Sequence, residues 1–231
     1  MRKIDKSPNI PHTLVGAPVP TSAAKVQENI YKAKDVRLQL EADQYYKCAF
    51  CECYLPLRYH DVEHFRPKSH YYWLGHAWEN LLYSCERCNR LFKKTHFPLA
   101  AGSVQAKSPA DDITLERPLL INPAEVDPSL HIKFEEHIAK GLTPDGKKTI
   151  EVFHLNDEQE CPELIDNRKQ LFALYKIEKD KIKLNEQILQ IPNLPQTVID
   201  IANEVINLSN KSINELKALN KPFSGMLVAQ I

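Results

Sequence analysis

The sequence predicts an α+β protein, mostly helical, built around a cysteine-stapled core with a helix ahead of it and a helical region behind. Three observations carry that reading. Two C-x-x-C pairs, Cys48/Cys51 and Cys85/Cys88, are separated by the 33 residues 52–84 and mark a metal knuckle with an insert. Glycine is scarce at 6 and proline plentiful at 16, which favours helices joined by stiff extended connectors. Beyond Gly141 the apolar residues fall at helical spacing within Lys- and Glu-rich stretches, whereas the tracts around Asp61-Val62-Glu63 and from His131 to Ile138 read as strands. These signals divide the chain into an N-terminal arm and helix (1–45), a core with a four-cysteine zinc (46–98), a connector with a short hairpin (99–160) and a helical C-terminal region (161–231).

Residues 1–20 are basic and then proline-rich, and predict an extended arm across the domain or a partly ordered leader. Val26, Ile30, Ala33, Val36 and Leu40 approximate one face of a helix that Thr21 or Ser22 could cap. The insert opens with a strand centred on Asp61-Val62-Glu63 and turns at Pro67; a second strand is expected around Tyr71-Tyr72-Trp73, and a helix from about Cys85 through Lys94. The stretch 100–128 reads as a long connector with one buried apolar tract, Leu119-Leu120-Ile121. A strand over His131–Ile138 and a turn at Pro144-Asp145-Gly146 follow. A long helix through Leu164, Leu171, Leu174 and Ile182 is broken by Pro192 and Pro195. A second runs from Thr197 to about Leu219, and an apolar tail begins at Pro222.

Hydrophobic residues make up 43% of the 231, enough for a folded core. Lys+Arg and Asp+Glu both number 30, so net charge gives no hint of a nucleic-acid partner, and any footprint must come from local clustering. No secretory apolar segment follows the start, and no apolar run approaches the ~20 residues that span a bilayer. The expectation is a cytoplasmic protein without a membrane partner, whose six cysteines stay reduced.

Cys48, Cys51, Cys85 and Cys88 as four thiolates would close a tetrahedral Zn2+ and leave no open position, so that metal serves structure and the chemistry lies elsewhere. Cys53 and Cys161 read as ordinary small apolar residues. Inside the insert, Glu63-His64 ends a strand at a bend that lets both side chains converge on one phosphate. Phosphodiester hydrolysis needs a base and a divalent cation. His64 can be the base; Glu63 with the Asn89 oxygen can hold Mg2+ or Mn2+; Asn80 could hold the His64 loop. Arg58, Arg66, Lys68, Arg87, Arg90, Lys93 and Lys94 cluster around this stretch, and Arg66, Lys68, Arg90, Lys93 and Lys94 are the candidate nucleic-acid contacts. Tyr71, Tyr72, Trp73 and Trp78 could stack on bases, with core packing the commoner use of such residues.

Glu63-His64 with Pro67, Asn80-Leu81, and Cys88-Asn89 with Lys93 resemble, in that order, the motif of the HNH endonucleases, the zinc-stapled form of the ββα-metal nuclease fold. The resemblance implies His64 as general base, Asn80 as the residue that orients it, and Glu63 and Asn89 as ligands of the catalytic cation. Further matches at Met1-Arg2-Lys3-Ile4, Cys48-Ala49-Phe50-Cys51-Glu52, Glu63-His64-Phe65-Arg66-Pro67-Lys68-Ser69 and Leu119-Leu120-Ile121-Asn122-Pro123 resemble the HNH subunit of Septu-type antiphage systems, a family also found as an effector module with retrons. That implies cleavage of DNA, or of tRNA or other RNA, with PtuA, an ABC/SMC-class ATPase, as partner. In the retron setting a reverse transcriptase and its RNA–DNA product are implied as well. The alternative is a non-catalytic zinc-binding module that recognises nucleic acid or a partner protein.

Overall fold

The computed structural model describes residues 1–55 and 60–231; Arg58 lies outside the described residues. The first twenty residues form an arm packed across the domain. Met1 and Ile4 are buried, Ile4 donates to the Pro123 carbonyl at 2.8 Å, and the Lys6 ammonium lies 3.8 Å from the centre of a Trp78 ring while donating to Leu81 O at 2.8 Å.

The expected helix after Ser22 is instead broken into a turn at Ala23–Lys25, α1 (Glu28–Tyr31) and α2 (Lys34–Asp43). A tertiary contact explains the interruption: the Gln27 N–H is taken by His76 Nε2 at 3.0 Å, and Val26 packs where Gly75 lacks a Cβ. Ser22 makes no side-chain cap. Broken this way, the segment buries Tyr31, Val36 and Leu40 together.

Strand β1 (His60–His64) pairs antiparallel with β2 (Leu81–Cys85), His64 opposite Leu81 and Glu63 opposite Leu82. The second strand thus lies ten residues beyond its expected place at Tyr71–Trp73. His70 and Tyr71 both donate to the Pro67 carbonyl (3.0 and 2.9 Å), which tightens that segment into turns. Tyr71 and Trp73 are buried in a small side cluster, so they are core rather than a base-stacking platform, as is Trp78 in the main core. After β2 comes the expected helix, wound as a π-helix over Arg87–Lys93 and stopped by Lys94 at φ +50°.

The expected single strand at 131–138 is a hairpin, β3 (Ile132–Glu135) with β4 (Ile138–Gly141), because Glu136 turns at φ +55°. The expected turn at Pro144-Asp145-Gly146 is the start of α3 (Pro144–Val152): Thr143 Oγ1 accepts from Gly146 N at 3.1 Å and proline sits in the first turn. Gly146 is required there, since a Cβ would come within 2.1 Å of His131 O. The helices α4 (Pro162–Ile188) and α5 (Gln196–Leu216) form a long antiparallel hairpin whose turn holds Pro192 and Pro195, as expected. The apolar tail folds into α6 (Ser224–Val228) and docks on the domain itself: Met226 and Leu227 are buried, and Gly225 N donates to the Glu52 carboxylate.

One hydrophobic core runs from Met1 to Ala229 and includes Phe50, Leu81, Leu82, Tyr83, Ile121 and Phe153. Phe50 and Phe153 stack at 4.0 Å, tying the knuckle to α3. Among the described residues the architecture is therefore α+β with two small two-stranded sheets. Among the described residues, no helix is long and apolar enough to cross a membrane.

Candidate active site

The two cysteine pairs converge. Cys48 and Cys51 lie on the turn before β1, Cys85 ends β2 and Cys88 sits in the π-helix, and their four sulfurs all lie within 4.8 Å of one another. The Cys51–Cys85 Sγ separation is 3.8 Å, the edge of a tetrahedron with Zn–S bonds of ~2.3 Å. Cys48 and Cys88 are fully enclosed, so the donor set is soft and dry. These four cysteines could hold a metal such as zinc. Cys53, set aside in the sequence, brings its sulfur to 3.2 Å from Cys51 and so borders the cluster.

Beside this knuckle, β1, α1 and the π-helix enclose a cleft of about 460 Å3, lined among others by Glu63, His64, Lys68, Asn89, Arg90 and Lys94. Consecutive residues of a strand point to opposite sides, yet Glu63 and His64 share this cleft because β1 ends at His64 and the chain bends there. The His64 ring is buried, edge-on to Tyr31 at 4.6 Å, and its Nε2 is 2.9 Å from the Gly75 carbonyl. A carbonyl only accepts, so Nε2 carries the proton and Nδ1 keeps its lone pair. Burial, helped by the nearby Lys68 and Lys93 charges, lowers the His64 pKa to about 4 against the opposing pull of Gly75 O, leaving a neutral imidazole at physiological pH.

Asn80 is buried behind the cleft. Its Oδ1 accepts from Arg66 N at 2.7 Å, and its Nδ2 donates to Arg66 O at 3.0 Å and Leu74 O at 3.2 Å. It therefore clasps both ends of the loop that follows His64 and carries Gly75 toward the ring.

Two of the five basic residues picked as nucleic-acid contacts are not offered to a ligand. Lys93 is completely buried; its ammonium donates to Glu63 Oε1 at 2.5 Å and to His64 O at 2.9 Å. Arg66 turns inward, paired with buried Glu116 and stacked over Tyr71 and Phe97. The remaining three are at the cleft, each with its own engagement. Lys68 reaches the Tyr31 hydroxyl at 2.5 Å, Arg90 is bidentate on Asp61 at 2.7 Å for both bonds, and Lys94 is exposed. Arg87, also in the basic cluster, bonds Glu160 O at 2.7 Å.

Lys93 is thus the residue whose part the sequence did not disclose. Burial raises the Glu63 pKa to about 7, an effect that the Lys93 charge opposes without overcoming. Glu28 and Asp61, which bring negative charge to the same cleft, were likewise not singled out. Among the other histidines, His76 is structural, bonded between Gln27 N and Pro18 O. His60, at the far end of β1, faces Glu41.

No protein-family model matches the chain. Curated relatives do. The chain is similar to proteins named Septu protein PtuB. One, from Bacillus mycoides (strain KBAB4), is 36% identical over 154 residues, 59% of this chain and 52% of the relative. Another, from Bacillus thuringiensis, is 33% identical over 178 residues, 74% of this chain and 62% of the relative. The chain thus spans between half and two thirds of the length of the curated relatives it matches, a likeness that supports a PtuB-like protein.

Proposed function

We propose that the protein is a metal-dependent HNH endonuclease that hydrolyses phosphodiester bonds as the nuclease component of a Septu-type antiphage system. The observation that carries this is the meeting of Glu63, His64 and Asn89 in one cleft beside the thiolate cluster, with the Nδ1 lone pair of a neutral imidazole left over by the Gly75 bond. The sequential β1–β2–π-helix unit, stapled by Cys48, Cys51, Cys85 and Cys88, is read as the ββα-metal core.

In this reading His64 accepts the proton of the attacking water at Nδ1, while Asn80 keeps the ring's loop in register through Arg66 and Leu74. Glu63 and Asn89 would hold Mg2+ or Mn2+. Both offer hard oxygen atoms to the same cleft, and a carboxyl held up to about 7 is one that a cation partner would pull down. When bound, the cation neutralises charge developing on the phosphate. Lys93 keeps Glu63 in place through one oxygen, and Lys68, Arg90 and Lys94 at the rim meet the nucleic-acid backbone. The partner proposed is a PtuA-like ATPase, with a retron reverse transcriptase and its RNA–DNA product in the retron setting; the substrate is DNA, or tRNA or other RNA.

The Lys93–Glu63 pair favours the second reading, a non-catalytic zinc module, because a lysine already neutralises the would-be cation ligand. Incubating the protein, alone and with the ATPase, with DNA and RNA in Mg2+ or Mn2+ separates the two. Cation-dependent cleavage supports the nuclease; binding without cleavage under every condition supports the module.

A further inference from the structure

One wall of the cleft holds a carboxylate among groups that suit a phosphate. Glu28 opens α1, and its Oε1 accepts from the Tyr31 hydroxyl at 3.0 Å. The same oxygen lies 3.2 Å from Lys32 Nζ and 3.9 Å from Lys68 Nζ. Lys68 in turn donates to the Tyr31 hydroxyl at 2.5 Å. The Lys32 contact alone is an ordinary helical pair at i, i+4 spacing. Lys68 is not part of that pattern: it belongs to the turn after β1, and it reaches α1 with its ammonium 4.5 Å from the centre of the Tyr31 ring. Two ammoniums and a phenol from two separate elements therefore gather on one oxygen, and all of them line the cleft.

Two cations facing one carboxylate leave positive charge over, and ammonium and hydroxyl donors match phosphate oxygens. Tyr31 is only 2% exposed, and burial together with Glu28 raises its pKa, so the phenol stays a hydrogen-bond donor. The Glu28 side chain, by contrast, is 65% exposed. Exposed ion pairs are held weakly, so Glu28 can turn out to water without moving the backbone. The other acid of this cleft is fixed: Asp61 is 8% exposed and clamps Arg90 through both its oxygens. The Tyr31 ring also stands edge-on to His64 at 4.6 Å, so an anion at its hydroxyl would sit beside the imidazole.

We propose that Tyr31, Lys32 and Lys68 form a subsite for a backbone phosphate flanking the point of cleavage, and that Glu28 fills this subsite until nucleic acid displaces it. The subsite deepens, and rests on, the reading of the cleft as a nuclease site. Its donors address a phosphodiester, a group that DNA and RNA share, so it positions the strand without reading its sequence. Glu28 acts as a built-in competitor: each strand that binds must first break its contacts with the two lysines and the phenol.

The test is binding of the full-length zinc-loaded protein to a short DNA duplex and to a single-stranded RNA, over a range of salt and without added Mg2+ or Mn2+. Lys32→Gln and Lys68→Gln should each weaken binding about tenfold and reduce the slope of log K against log salt, by about 0.9 on the duplex or about 0.7 on the single strand. Tyr31→Phe keeps the ring against His64 and should weaken binding a few-fold with the slope unchanged. Glu28→Gln keeps an acceptor for Tyr31 but removes the competing charge, and should tighten binding about tenfold. In a Lys32→Gln/Lys68→Gln background that gain should vanish, because Glu28 then has no subsite to block. A gain of equal size in both backgrounds would mark a general charge effect and overturn the proposal, as would failure of the wild type to bind either probe. Cleavage is scored separately, in wild type with Mg2+ or Mn2+. Binding that follows this pattern without cleavage would sink the nuclease reading and support the subsite. Cleavage by a wild type whose binding is indifferent to all four substitutions would sink the subsite alone.

Discussion

Lys93→Met removes one ammonium from the floor of the cleft and keeps the shape of the side chain. Lys93 is 0% and the Glu63 side chain 3% exposed, with 2.5 Å between Nζ and Oε1 and a second bond to His64 O at 2.9 Å. The cost follows from the Glu63 pKa of about 7, raised from 4.5. Below about pH 7 the carboxyl is protonated in the folded wild type and in the variant alike. The loss is then that of charge-assisted hydrogen bonds, about 1–2 kcal/mol. Above that value the wild type ionises against Lys93, whereas in the variant burial pushes Glu63 higher still and the carboxyl stays protonated. The unfolded chains ionise equally, so the gap widens by ~1.4 kcal/mol per pH unit. Near pH 8.5 it should reach about 3–4 kcal/mol, the usual cost of breaking a buried pair. Urea unfolding of zinc-loaded protein at about pH 5.5 and 8.5, without added Mg2+ or Mn2+, measures it. Against a Glu63→Gln background the pH-dependent part should vanish. A penalty that is equal at the two pH values, or under about 1 kcal/mol at the higher one, would refute the reasoning.

Purified protein should carry one zinc per chain, and Cys85→Ser should lose it and melt about 10 °C lower, measured by metal analysis and thermal unfolding; unchanged melting would exclude a structural metal. Asn80→Ala breaks the three bonds of the clasp and should cost about 2–4 kcal/mol, lowering cleavage without altering its cation requirement. Asn89→Ala should do the opposite, leaving stability nearly unchanged while raising the Mg2+ or Mn2+ needed for half-maximal cleavage about tenfold or more; an unshifted cation dependence would remove Asn89 from the ligand set.

The thiolate cluster was legible because two C-x-x-C pairs constrain four sulfurs by themselves, and β1 because Asp61-Val62-Glu63 ends at a turn before Pro67. Much of what the sequence misplaced depended on contacts from afar. The helix after Ser22 is interrupted by His76, which takes the Gln27 N–H across the fold. The apolar run Leu81–Tyr83 is buried on both faces and shows no alternation, so its strand signal is weaker than that of the aromatic Tyr71–Trp73. Thr143 capping Gly146 was readable as a helix start, yet Pro-Asp-Gly is equally a turn signal. In the cleft, the motif named Glu63, His64, Asn80 and Asn89 but assigned Lys93 and Arg66 to the surface. Both lie in a basic run, and nothing local reveals that Glu63 and Glu116 draw them inward.

The most direct test is the cleavage rate of His64→Ala in Mg2+ or Mn2+, on whichever nucleic acid the wild type cuts. The ring is buried against Tyr31, so the truncation leaves a cavity that added imidazole can enter. General-base catalysis is worth ~10²–10⁴-fold, so the rate should fall by that order with zinc content intact, and imidazole should restore part of it. At saturating Mg2+ or Mn2+, where the cation pulls Glu63 below its resting value of about 7, the wild-type rate should show no inflection near pH 6.5, because His64 is held at about 4. A folded, zinc-loaded His64→Ala that cleaves at the wild-type rate would contradict the account.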